Sequence, residues 1–194
     1  FKFELGKLNA DIDIDGPDQF CQGDEVQFEN LTVGPAAFTW SFGDATFSNE
    51  IAPLHLYGLN GTFEVEVIAE DTTGCLAPDT AYVTVTVAPN ADPQIEPIDP
   101  LCLGDDLQLQ GSGNGALTWS PPNGLSATDT ANPVANPTTT TTYTLTDETL
   151  CGTATTTTTI EVIDMATSTS GDTQICLGDI APLSIESPLP GAPD

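Results

Sequence analysis

Three copies of one short pattern divide this chain and limit what it can fold into. FCQGDEVQF, LCLGDDLQL and ICLGDIAPL begin at Phe20, Leu101 and Ile175, each an apolar residue and Cys, one variable residue, Gly-Asp and a short apolar run. Their cysteines, Cys21, Cys102 and Cys176, stand 81 and 74 residues apart. That period is the size of a small β-sandwich and too long for a solenoid repeat. Sliding the sequence by 81 residues lays Asn9-Ala10-Asp11 on Asn90-Ala91-Asp92, and Phe1 to Leu5 on Tyr82 to Thr86, which belong to the run closing the first module. The chain therefore reads as the last strand of a preceding module (1–8), a first module (9–88), a second (89–164) and the start of a third, incomplete one (165–194). Excision from a longer chain accounts for such ends. Strand exchange between subunits is the alternative.

Within the modules the period is two. DEVQFEN, AFTWSFGD, GTFEVEVIAED and AYVTVTV alternate apolar and polar residues, as do DDLQLQ, ALTWS, TTTYTLT and TATTTTTIEV, which is the pattern of half-buried strands. With 17 Gly, 16 Pro and abundant Thr there is little room for helices. Trp40 and Trp119 follow the first Cys of their modules by 19 and 17 residues, where an immunoglobulin-like sandwich buries its Trp against the opposite sheet. The expected fold is all-β, a tandem of immunoglobulin-like β-sandwich modules. No run of 18 apolar residues is present, so no helical membrane insertion is expected.

Charge narrows the partners. Twenty-nine acidic residues face two Lys and no Arg, giving a formal net charge of −27. Nucleic acid and anionic membranes need a basic footprint, which is missing. No motif requires a cofactor, and calcium is the cation that such a surface would take. The five cysteines form one pair in each complete module, Cys21 with Cys75 and Cys102 with Cys151, leaving Cys176 to a partner outside the chain; free buried thiols are the alternative. Disulfides imply an oxidising, extracellular or cell-surface setting.

The chemistry-bearing candidates are few. His55 is the single His, so any nucleophilic triad must use it. The acidic pairs Glu64 with Glu66 and Asp105 with Asp106 read as solvated surface. Asp11, Asp13 and Asp15 open a calcium-loop-like Asp-x-Asp-x-Asp-Gly, but its twelfth position is Gln22 rather than Glu, and the alternating Ile residues make the segment an equally good first strand.

Trp40-Ser41-Phe42-Gly43-Asp44, then Pro53-Leu54-His55-Leu56-Tyr57, then Gly61-Thr62-Phe63-Glu64-Val65 resemble the PKD (polycystic kidney disease) module. Ser41 and Ala45 depart from that family's pattern, which has Gly where Ala45 stands. The resemblance implies that His55 packs or hydrogen-bonds at a strand corner. The second module lacks the Phe-Gly-Asp turn and is similar to immunoglobulin-like repeats of large secreted surface proteins of Bacteroidota. That likeness implies adhesins, gliding-motility proteins or stalks of secreted enzymes, and makes Thr72, Thr80 and Thr130, each in an Asp-Thr-small/apolar pattern, candidates for O-glycosylation. The expected function is a structural, non-catalytic shaft of an extracellular adhesin or filament, whose partners are neighbouring modules and, through self-assembly, other copies. The alternative is an accessory carbohydrate- or protein-binding module of a secreted hydrolase.

Overall fold

The computed structural model describes residues 7–16, 19–34 and 36–164, and its regular structure is entirely β. The flanking strand expected at Phe1 to Leu5 and the third module, with Cys176, lie outside the described residues.

Eight strands precede residue 89: β1 (Ile12–Asp15), β2 (Gln19–Cys21), β3 (Glu25–Asn30), β4 (Ala36–Ser41), β5 (Phe47–Ser48), β6 (Leu54–Leu56), β7 (Gly61–Asp71) and β8 (Asp79–Ala88). They form two sheets, one ordered β1-β3-β6 and the other β2-β8-β7-β4-β5. Alternation decides which side chains fill the space between them. On β7, Val65, Val67 and Ala69 are fully buried while Glu64 and Glu70 point to solvent. Val26 and Phe28 of β3, Trp40 of β4 and Val85 of β8 join the same core and are likewise fully buried. Trp40 satisfies its indole N–H on the Glu50 carbonyl at 2.9 Å, as a buried Trp must.

The repeated Cys-x-Gly-Asp pattern is a turn with a physical reason for each residue. β2 lies parallel to the end of β8, with Cys21 opposite Ala88. Gly23 then takes φ +94°, a conformation cheap only for glycine. Asp24 closes the turn, its carboxylate accepting the Cys21 amide at 2.8 Å and its own amide donating to the Cys21 carbonyl at 2.9 Å.

Nine further strands follow: β9 (Gln94–Ile95), β10 (Leu101–Cys102), β11 (Leu107–Gln108), β12 (Gly111–Ser112), β13 (Ala116–Ser120), β14 (Val134–Ala135), β15 (Thr141–Thr149), β16 (Gly152–Ile160) and β17 (Val162–Ile163). The plan recurs: β10 is parallel to β17, Gly104 has φ +97°, and the Asp105 amide donates to the Cys102 carbonyl at 3.0 Å. Leu109, Trp119, Ala135, Tyr143, Leu145 and Ile160 are among the residues buried here, and the Trp119 indole donates to the Thr130 carbonyl at 3.1 Å. Among the described residues the chain divides by compactness into two units: 7–94 with Ser112–Leu117 and Thr146–Thr155, and Ile95–Gly111 with Thr118–Leu145 and 156–164.

The cysteine pairing differs from expectation. Cys21 is bonded to Cys151, with Cα atoms 5.5 Å apart and 130 residues between them in sequence. Both belong to the first compact unit. Cys75 is a free, exposed thiol, and Cys102 is disulfide-bonded to a cysteine other than Cys151. The reason is strand direction. Cys21 lies beside Ala88, whereas Cys75 lies in the turn before Asp79. Those are opposite ends of a 10-residue strand, about 30 Å at 3.3 Å per residue, and a disulfide spans Cα atoms less than about 7 Å apart. The same argument separates Cys102, opposite Ile163, from Cys151 at the start of β16.

Candidate functional site

A cluster of polar chemistry lies at the turn after β4, where Phe42-Gly43-Asp44-Ala45-Thr46 meets His55 of β6. Gly43 has φ +80°, and a Cβ there would lie 2.7 Å from the Glu64 carbonyl oxygen, so only glycine lets the turn press against β7. Ala45 also sits in the left-handed region, at φ +68°. The turn thus keeps its shape where the PKD pattern has glycine, at a steric cost to Ala.

Asp44 is the hub. One carboxylate oxygen accepts the Thr46 amide at 3.0 Å and the Thr46 hydroxyl; the other lies 2.8 Å from His55 Nε2. Burial pushes the Asp44 pKa up, but the Thr46 and His55 hydrogen bonds more than offset this and hold it below the usual carboxylate value. The His55 ring stacks on Phe42, with centroids 4.0 Å apart and 3° between planes, and meets the edge of Tyr57 at 4.6 Å. Tyr57 donates its hydroxyl to the Phe42 carbonyl at 3.1 Å. Burial, and then the charge of Asp44, push the Tyr57 pKa up.

An Asp–His pair invites comparison with a hydrolytic dyad. That chemistry needs the carboxylate on one imidazole nitrogen and the nucleophile on the other. Here Asp44 and the Thr46 hydroxyl, the latter at 3.4 Å, gather on the same nitrogen, while Phe42 and Tyr57 cover the ring. The arrangement fastens a turn to a strand corner.

The other candidates are dispersed. Asp11, Asp13 and Asp15 lie exposed along β1, with Ile12 and Ile14 packed toward the core between them. Asp13 faces Glu29 across the β1–β3 ladder. Among the described residues no group of three His, Cys, Asp or Glu side chains is arranged to hold a metal. Glu64 and Glu66 are on the outer face of β7, Glu66 accepting the Tyr82 hydroxyl at 3.1 Å. Asp106 accepts the Asn136 amide at 2.8 Å beside Asp105, whose carbonyl accepts the same group at 2.9 Å. Thr72 and Thr130 are exposed in turns, and Thr80 is half-buried on β8.

One group was not anticipated. Asp147 is fully buried, and its carboxylate accepts the backbone amides of Asp92, Asn114 and Gly115 at 2.9, 2.9 and 2.7 Å. Burial raises its pKa, and the three amides outweigh that and leave it lowered. Beside it runs a ladder of amides, Asn114 to the Asn90 carbonyl, Asn90 to the Gln22 carbonyl and Gln22 to the Gly58 carbonyl, at 2.8, 3.0 and 2.7 Å. These residues line an open depression of about 480 Å³. The signal was present: Asp147 stands in the apolar phase of its strand, two residues after Leu145 and four after Tyr143.

Residues 10–87 match the family model of the PKD domain. Collagenase ColA of Bacillus cereus is 32% identical over 100 residues, covering 48% of this chain and 10% of that protein. The chain thus matches about a tenth of the length of this curated relative. The PKD1 domain of the Vibrio cholerae metalloprotease PrtV is 25% identical, covering 42% of this chain and 96% of that domain, with a TM-score of 0.36. The insect immune protein hemolin, 12% identical, covers 84% of this chain and 48% of its own, with a TM-score of 0.54. That last likeness concerns the fold, and with the PKD match it identifies the chain as immunoglobulin-like β-sandwich modules.

Proposed function

We propose that this chain is a non-catalytic, extracellular accessory region of a secreted hydrolase, whose modules hold or present a partner rather than transform it. The observation that carries the reading is the 32% identity to a stretch amounting to 10% of a collagenase. A match confined to so small a part of that protein, in a chain whose single His is tied into a turn, is suited to a region that accompanies catalysis. Export is supported by the bonded Cys21, Cys151 and Cys102, since disulfides persist in oxidising compartments.

A protein ligand fits the first module better than a carbohydrate. Sugar platforms use adjacent aromatic faces, but the exposed Phe47 and Tyr82 lie on β5 and β8 with β7 and β4 between them, about 14 Å apart at 4.8 Å per strand. Leu54 and Leu56 on the edge strand β6 are each 51% exposed and offer aliphatic contact. Co-sedimentation of the 194-residue chain with insoluble collagen and with insoluble polysaccharide tests this. Retention on the protein fibre, lost in Leu54→Asp/Leu56→Asp, is expected; retention on polysaccharide, or on neither, counts against it.

The second reading, an adhesin or filament shaft, is favoured by the tandem repeat itself. Electron microscopy of native material, with and without a calcium chelator, separates the two. Long fibres support the shaft, and their collapse in chelator would direct attention to Asp11, Asp13 and Asp15. Discrete particles support the accessory role.

A further inference from the structure

The repeat distinguishes two kinds of cysteine. Cys21 and Cys102 sit on β2 and β10, the short strands parallel to a closing strand. Cys75 and Cys151 sit in the turns of the long hairpins β7–β8 and β15–β16. Those turns are related: Asp71-Thr72-Thr73-Gly74-Cys75 and Asp147-Glu148-Thr149-Leu150-Cys151 carry Asp, Thr and Cys at the same spacing. The Cys21–Cys151 bond joins one cysteine of each kind. Register explains how. Cys21 stands opposite Ala88, and Cys151 Sγ lies 3.7 Å from the Ala88 carbonyl. The residue at which the chain leaves β8 is therefore flanked by both cysteines.

The 81-residue shift of the repeat carries Ala88 back to Lys7. Lys7 bridges in parallel to Ala77, two residues beyond Cys75, and the Leu8 amide donates to the Ala77 carbonyl at 3.1 Å. Lys7 also pairs with Asp79. The segment leading into the first module thus passes beside the Cys75 turn, as Ala88 passes beside Cys151. Cys75 is exposed and unbonded.

We infer that Cys75 is the receiving half of a second bond of the Cys21–Cys151 kind, and that its partner is the cysteine of a Cys-x-Gly-Asp strand carried by a module ahead of Lys7. The bond forms by thiol–disulfide exchange with an oxidised dithiol such as glutathione disulfide. The Cys75 thiolate attacks one sulfur and releases one glutathione thiolate; the partner thiolate then displaces the second glutathione. One protein disulfide forms, the glutathione disulfide is reduced to two thiols, and the two protons end on those thiols. This inference is independent of the accessory reading and holds equally for a shaft.

The test replaces residues 1–6 by a second copy of residues 9–87 joined directly to Lys7, which reproduces the 81-residue repeat period. The added copy carries C75S, so that the original Cys75 alone is followed, and Q19N at an exposed position, so that its Asp18–Gly23 peptide differs in mass from the original. After refolding in glutathione buffer, Asp-N digestion without reduction should recover Cys75 linked to the Cys-Gln-Gly turn peptide of the added copy, alongside an intact Cys21–Cys151 link. Iodoacetamide labelling of Cys75 should fall at least about tenfold relative to the 194-residue chain, and C21S in the added copy should restore it. Undiminished labelling of Cys75 while Cys21–Cys151 is intact would overturn the inference, as would a Cys75 link to the cysteine of its own module.

Discussion

Replacing Ala45 by glycine should stabilise the first module, and the size of the gain follows from one dihedral angle. Ala45 holds φ +68° on an exposed turn, so the change removes no buried contact. A non-glycine residue in the left-handed region costs roughly 1–2 kcal/mol. Glycine gives back roughly 0.5–1 kcal/mol through its greater freedom in the unfolded chain. The expected net gain is about 0.5–1 kcal/mol, which at a urea m-value of about 2 kcal/mol per molar raises the midpoint by about 0.3–0.5 M. Hydrogen exchange at the β4 and β7 amides, which are paired from Ala36–Asp71 to Ser41–Glu66, reads this module by itself. Protection there should rise about two- to fivefold. If A45G leaves both quantities unchanged or lowers them, the turn does not bear the steric cost assigned to it, and the Asp44–His55 geometry built on it must be redrawn.

The neighbouring glycine should behave oppositely: G43A, at φ +80° and with its Cβ 2.7 Å from the Glu64 carbonyl oxygen, should cost about 2 kcal/mol or more in the same urea titration. D147A strands the amides of Asp92, Asn114 and Gly115, and a loss of about 3 kcal/mol or more is expected by calorimetry, against a smaller loss in D147N. Asp44 has a lowered folded-state pKa, so its contribution is complete above the unfolded value of 3.8 and disappears as pH falls through the folded value. Thermal midpoints recorded between neutral pH and the acid limit should show a drop in that acid window which is smaller in D44N. Reducing the Cys21–Cys151 bond opens a loop of 130 residues, a loss of about 5 kcal/mol in the chain-entropy model. Denaturation of C21S beside the parent chain measures it, and reductant, which also opens the Cys102 bond, should lower stability at least as far.

Much of the architecture was legible because alternation is a local property. Val65, Val67 and Ala69 announce the buried face of β7, and Trp40 and Trp119 announce two cores, each needing only neighbours along the chain. The turn at Phe42 to Thr46 was legible as a motif, but its left-handed Ala45 was visible only in the backbone. The cysteine pairing was not legible. Counting places Cys21 and Cys75 in one module, whereas strand direction sends them to opposite ends of β8, and direction is a property of the assembled sheet. Asp147 lay between these cases: its position in an apolar phase marks a buried charge, but its amide partners come from residues 92, 114 and 115, too distant in sequence to infer.

The parallel placement of β2 against the end of β8 has a mechanical consequence. Strands that run the same way are pulled past one another when tension is applied to the incoming chain at one end and the outgoing chain at the other. The ladder from Gln19–Thr86 to Cys21–Ala88 is then sheared as a set, with every rung sharing the load. The parallel bridge between Lys7 and Ala77 meets the same pull in the same sense. Unzipping rung by rung, the weaker mode, is reserved for hairpins such as β7–β8, whose ends lie on one side. A module of this design resists stretching most where its two termini are gripped.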